Sequence, residues 1–86
     1  MNLVIYSILS RIFEERFGLD ISLINFNIDI LDGQFGIEPR DLVYLLFDIE
    51  REFNITVAEK DIVSGDFKTL NGIINVINRQ LKKNGE

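Results

Sequence analysis

Between Pro39 and Asn54 the chain carries apolar side chains at Leu42, Leu45, Leu46, Ile49 and Phe53, a spacing of i, i+3, i+4, i+7 and i+11. A helix of about 3.6 residues per turn gathers those positions onto one face, so the stretch predicts an amphipathic helix that must bury one side. Its boundaries are marked as well. Asp32-Gly33 is a turn signal ahead of it. Pro39 suits the first helical position, because its fixed φ fits and its missing N–H has no helical partner there anyway. Asn54 follows the last periodic residue, where the chain must turn out of the helix.

The same periodicity appears twice more. Residues 2–17 predict a first helix with Ile5, Leu9, Ile12, Phe13 and Phe17 on one face and Arg11, Glu14, Glu15 and Arg16 largely on another. Gly18 then suits the position after the helix, where a positive φ is needed. Residues 70–83 predict a last helix with Leu70, Ile73, Ile74, Ile77 and Leu81 in register and Thr69 as N-cap. Gly72 weakens that helix by up to about 1 kcal/mol relative to alanine, and a small residue there admits a close neighbour. Ala58–Val63 is long enough for one short helical turn before a break at Ser64-Gly65-Asp66.

Residues 18–37 are apolar without helical period. Phe26, Ile28 and Ile30 nearly alternate, which admits a short strand. The alternative is a long loop, unusual at twenty residues in a compact domain, and it is the reading adopted. The first helix is more apolar than one buried face requires, at Leu3, Val4, Tyr6 and Ile8. Either the long loop covers the excess or it forms a sticky surface for a partner or a second copy. The expected architecture is all-α: three longer helices and one short one in a small antiparallel bundle, forming a single domain over residues 1–86. Leu46, Ile49 and Phe53 are expected to pack against Leu9, Phe13 and Ile74.

Two fragments around the central helix resemble acyl carrier proteins. That family reads roughly D-L-G-x-D-S-L before its second helix and E-E-F-x-I near its end. Phe35-Gly36-Ile37-Glu38 stands in the place of L-G-x-D, Arg51-Glu52-Phe53-Asn54-Ile55 in that of E-E-F-x-I, and Thr69-Leu70 in that of the T-V at the last helix. The resemblance spans nearly the whole chain and implies a four-helix bundle with a long first loop. The serine that carries phosphopantetheine in the family falls on Pro39, which has no hydroxyl. Glu38 keeps the acid that precedes that serine. The resemblance therefore implies a carrier-like scaffold without its cofactor, similar to degenerate carrier-related proteins of peptide maturation systems.

Composition removes most chemistry. The chain has no cysteine and no histidine, so disulfides, thiolate catalysis and a Ser–His–Asp triad are excluded. An apolar fraction of 47% argues for a packed globule. Asp29, Asp32 and Glu38 lie near a glycine without the calcium-loop spacing, and read as solvated loop carboxylates. Gly33-Gln34-Phe35-Gly36 is not a phosphate cradle, since no G-K-[ST] follows. Glu14-Glu15 and Glu50/Glu52 read as exposed helix faces. No catalytic and no metal-ligating residue is assigned.

The net charge of −5 is uneven: residues 20–66 carry −8 and residues 67–86 carry +3. An acidic middle disfavours nucleic acid and favours a basic protein partner. The basic tail complements the last helix's dipole. The apolar amino-terminal stretch is far shorter than the roughly 20 residues of a membrane span and lacks a cationic leader, so no membrane span and a cytoplasmic location are expected.

Positions that meet partner enzymes in the carrier family correspond to Glu38, Arg40, Asp41, Val43, Tyr44, Phe47, Asp48 and Arg51. Tyr44 and Phe47 share a face roughly 100° from the Leu42–Phe53 stripe, and an aromatic pair among charges resembles a binding hot spot. Phe47 tucked under the long loop as core is the competing reading. Arg40 and Arg51 depart from the family's acidic pattern. The expected function is a non-enzymatic interaction module that docks onto a biosynthetic or maturation enzyme, as a monomer or with weak self-association. Two alternatives stand beside it: an acyl or peptidyl carrier modified at another residue, and a structural, self-associating helical protein.

Overall fold

A computed structural model describes residues 3–84. It contains four helices: α1 (Leu3–Phe17), α2 (Pro39–Phe53), α3 (Glu59–Val63) and α4 (Leu70–Asn84), and there is no strand among the described residues. Short 3₁₀ turns lie at Ile21–Leu23, Gly33–Phe35 and Asp66–Lys68. The expected helices are all present. Asn2, included in the first by its periodicity, lies outside the described residues.

The core forms where the stripes meet. Ile5, Leu9, Ile12 and Phe13 of α1, Leu45, Ile49 and Phe53 of α2, and Leu70, Ile73, Ile74 and Ile77 of α4 are buried in one cluster. Each such side chain contributes about 1.5–3 kcal/mol by leaving water. Five positions differ from the stripes. Phe17, Leu42, Leu46 and Leu81 are only half-buried, whereas Val76, outside the α4 stripe, is fully enclosed. The 3₁₀ turn Asp66–Lys68 folds directly onto the start of α4. Gly72 makes that contact possible: a Cβ there would stand 1.6 Å from the Asp66 carbonyl oxygen, a distance no side chain tolerates. Thr69 caps the helix, its Oγ1 accepting from the Gly72 N–H at 3.0 Å.

The long loop is not a strand, and its backbone bonds say why. The Phe26 carbonyl accepts from the Asn71 N–H at 3.1 Å, and the Ile30 N–H donates to the Lys68 carbonyl at 2.7 Å. The alternating segment is thus stitched to the start of α4, not to a second extended segment. Four side chains, Asp20, Asn25, Asp29 and Asp32, each accept from the N–H two residues on. These Asx turns satisfy backbone groups that a twenty-residue connection otherwise leaves open. Asp20 also accepts from the Ser22 hydroxyl at 2.6 Å, which holds its carboxyl below the usual aspartate pKa. Ile21, Ile30 and Ile37 anchor the loop in the core.

The apolar excess of α1 divides. Tyr6 stacks on Phe26 of the loop with ring centres 6.3 Å apart, and Ile8 packs at the edge of the core. Leu3 and Val4 are exposed. No helix among the described residues is long and apolar enough to cross a membrane.

Candidate interaction surface

α2 begins at Pro39 because the residues around it satisfy the open helix end. The Glu38 N–H donates to Asp41 Oδ2 at 2.9 Å, and the Asp41 N–H donates to the Glu38 carbonyl at 2.9 Å. Proline at the first position has no N–H to satisfy. The far end is closed by Asn54 in the left-handed conformation, φ 54°, with its N–H on the Glu50 carbonyl. Glu50 Oε2 also accepts from the Val57 N–H at 2.9 Å, tying the following segment to the helix. A helix fixed at both ends presents its outer side chains in set positions.

Those outer side chains include Val43, Tyr44 and Phe47, and all three are exposed, Tyr44 by 52% and Phe47 by 58%. Phe47 is therefore surface and not core. At 100° per residue the pair stands nearly opposite the centre of the buried stripe, further round than the roughly 100° expected. Arg16 of α1 lies over the Tyr44 ring, its guanidinium carbon 5.5 Å from the ring centre. That contact holds the ring against the seam between α1 and α2.

Asp48 is placed differently from its expected neighbours. It is buried, 5% exposed, and is gripped by two nitrogens of Arg16, one of them Nη2 at 3.0 Å, with Arg51 Nη2 at 3.2 Å. Its charge is used inside the domain and is not open to a partner. The hydrogen bond to Asp48 raises the Arg16 pKa above its already high ordinary value, its charge adds to that, and burial opposes both. Glu52, expected on an exposed face, pairs with Arg11 of α1 and with Arg51 at 3.3 Å. Arg40 reaches back to Glu38 at 3.0 Å.

Two concavities flank the outer face of α2. On the α1 side lies a polar groove of about 560 Å³ lined by Arg11, Ile12, Glu15, Arg16, Asp48, Arg51 and Glu52. Its cations and carboxylates largely satisfy one another. On the other side lies an apolar cleft of about 300 Å³ between Pro39, Leu42, Val43 and Leu46 of α2 and Ile62, Phe67 and Lys68. It explains why Leu42 and Leu46 are only partly covered. No cluster of three or more acidic, histidine or cysteine side chains suited to a metal ion occurs among the described residues.

The structure thus brings Arg40, Val43, Tyr44, Phe47 and Arg51 together on one face and withdraws Asp48 from it. It adds Arg16, which sequence reasoning missed. Arg16 and Asp48 are 32 positions apart, and nothing local in either segment marks them as partners. No protein-family model and no curated protein matches the chain.

Proposed function

We propose that the chain is a non-enzymatic, acyl-carrier-like interaction module that docks onto a protein partner through the outer face of α2. The observation that carries this reading is the exposure of Val43, Tyr44 and Phe47 on a helix fixed at both ends. Exposed aromatics on a rigid element supply apolar contact area at little ordering cost, which is how binding hot spots work. Pro39 stands at the first residue of that helix, where the carrier family has its modified serine. Without a hydroxyl there, no phosphodiester forms, and the helix retains a docking role without the group it would deliver. An enzyme of a biosynthetic or peptide-maturation pathway is the partner class that the resemblance implies.

A second reading, a carrier modified at another residue, draws on the apolar cleft beside Pro39, which has room for an aliphatic chain. Intact mass after incubation with a phosphopantetheinyl transferase and coenzyme A separates the two. The docking module gains no mass. A stoichiometric adduct on Ser7, Ser10, Ser22 or Ser64 establishes the carrier instead. Pro39→Ser creates a candidate site behind Glu38, and its modification shows that the helix start still fits the transferase.

A further inference from the structure

The outward positions of α2 are Arg40, Val43, Tyr44, Phe47 and Arg51, spaced i, i+3, i+4, i+7 and i+11. No acid is among them, in a chain whose net charge is −5. The helix has four acids, and each is turned to an internal bond. Asp41 accepts from the Glu38 N–H, Asp48 holds Arg16, Glu50 accepts from the Val57 N–H, and Glu52 pairs with Arg11. The arginine side chains at the two ends are 80% and 69% exposed.

Resting on the docking reading above, we propose that this face binds an acidic amphipathic segment of a partner protein, with apolar side chains on Tyr44 and Phe47 and carboxylates on Arg40 and Arg51. The charge arrangement carries the argument. Arg51 meets Asp48, which Arg16 also holds, and Glu52, which Arg11 also holds; three cations share these two carboxylates, and Arg51, 69% exposed, exchanges its pairs readily for a partner's carboxylate. Arg40 pairs with Glu38 across a well-exposed bridge, and such pairs are worth little and exchange readily. Arg16, over the Tyr44 ring, is already spent on Asp48 and orients the ring without adding free charge to this edge. Planar guanidinium forks bind carboxylates in two parallel hydrogen bonds, which fixes orientation as well as sign. Eleven residues of helix separate the two arginines, about 16 Å along the axis, so the matching carboxylates stand about three turns apart on a partner helix. The acidity of the chain as a whole points to a basic partner, but the docking face itself has the opposite sign. Electrostatic choice of partner is made at the contact, since charges beyond about 8–10 Å are screened at physiological salt.

The test uses two fluorescein-labelled helical peptides, each with central leucines. One carries glutamates three turns apart, and the other carries lysines in their place. Binding to the full chain is followed by anisotropy at low and high salt, with amide shifts of the isotopically labelled protein locating the contact. The glutamate peptide is expected to shift residues 40–51 and to bind about tenfold or more tighter than the lysine peptide, with the advantage shrinking as salt rises. Arg40→Glu, and Arg51→Gln made separately, are each expected to reduce that preference while thermal unfolding stays near wild type. Tighter binding of the lysine peptide on the same face overturns the proposed polarity and leaves the docking reading intact. Shifts at Leu3 and Val4 instead, or no shift on α2 with either peptide, overturn both. Concentration-dependent dimerisation of the free chain that Phe47→Ala abolishes assigns the face to a second copy and likewise overturns an acidic partner.

Discussion

The two sides of α2 are near copies in spacing and opposites in use. Leu42, Leu45, Leu46, Ile49 and Phe53 face inward, and Arg40, Val43, Tyr44, Phe47 and Arg51 repeat the same intervals two residues earlier. A shift of two residues turns a helix by about 200°, so the second stripe lies almost opposite the first. Leu45, Ile49 and Phe53 of the inner stripe are buried, with α1 packed against α2, while Leu42 and Leu46 are half-covered beside the apolar cleft. The outer stripe holds aromatics between arginines, and no element among the described residues lies over it. Periodicity alone does not decide burial. The arginines at the ends of the outer stripe add a cost to covering it, since two guanidiniums leave water only at high cost.

That contrast is sharpened by removing side chains from each face. The largest effect is expected inside. Phe53→Ala should lower unfolding free energy by on the order of 3–5 kcal/mol, measured by urea denaturation, because it leaves a cavity among Leu45, Ile49 and their neighbours. A loss below about 1 kcal/mol would break the comparison, since the inner stripe would then be no more structural than the outer. Asp48→Ala should come next, at about 2 kcal/mol. It frees two arginines that are partly solvated already, so the loss falls short of that for a fully buried pair. Raised salt should leave most of this effect in place, because the carboxylate is shielded from solvent ions.

The smallest stability change belongs to the outer stripe. Tyr44→Ala should shift stability by no more than about 0.5 kcal/mol, part of it from the lost contact with Arg16. The same variant should weaken partner binding by more than about 1 kcal/mol, read by titration alongside thermal unfolding. Normal binding by Tyr44→Ala, or an effect through unfolding alone, moves the docking surface away from α2. Leu3 and Val4, exposed at the start of α1, are then the next apolar residues to examine.

Much of this protein was legible one residue at a time. The helices, the stop at Asn54, the cap at Thr69 and the positive φ at Gly18 follow from local periodicity and from side chains that satisfy helix ends. Gly72 signalled a close approach, and the Asp66 carbonyl is what approaches. Of the long loop's Asx turns only the one at Asp32-Gly33 was marked in the sequence; those at Asp20, Asn25 and Asp29 emerge from the structure. These signals are local because backbone hydrogen bonding is settled within a few residues.

The tertiary structure alone decided which carboxylates face outward. Asp48 and Glu52 read as surface acids on a helix and become internal partners because Arg16 and Arg11 arrive from α1. Phe47 read equally well as core or surface until the loop was seen to be tied to α4 and Phe47 to stand in solvent. Leu46 carried the same inward spacing as Ile49 and is half-covered, because an open cleft, and not a packed side chain, lies over it. A sequence fixes the angle at which a side chain leaves its helix. Whether it meets protein, water or an opposite charge depends on segments far away in the chain, and packing alone brings those together.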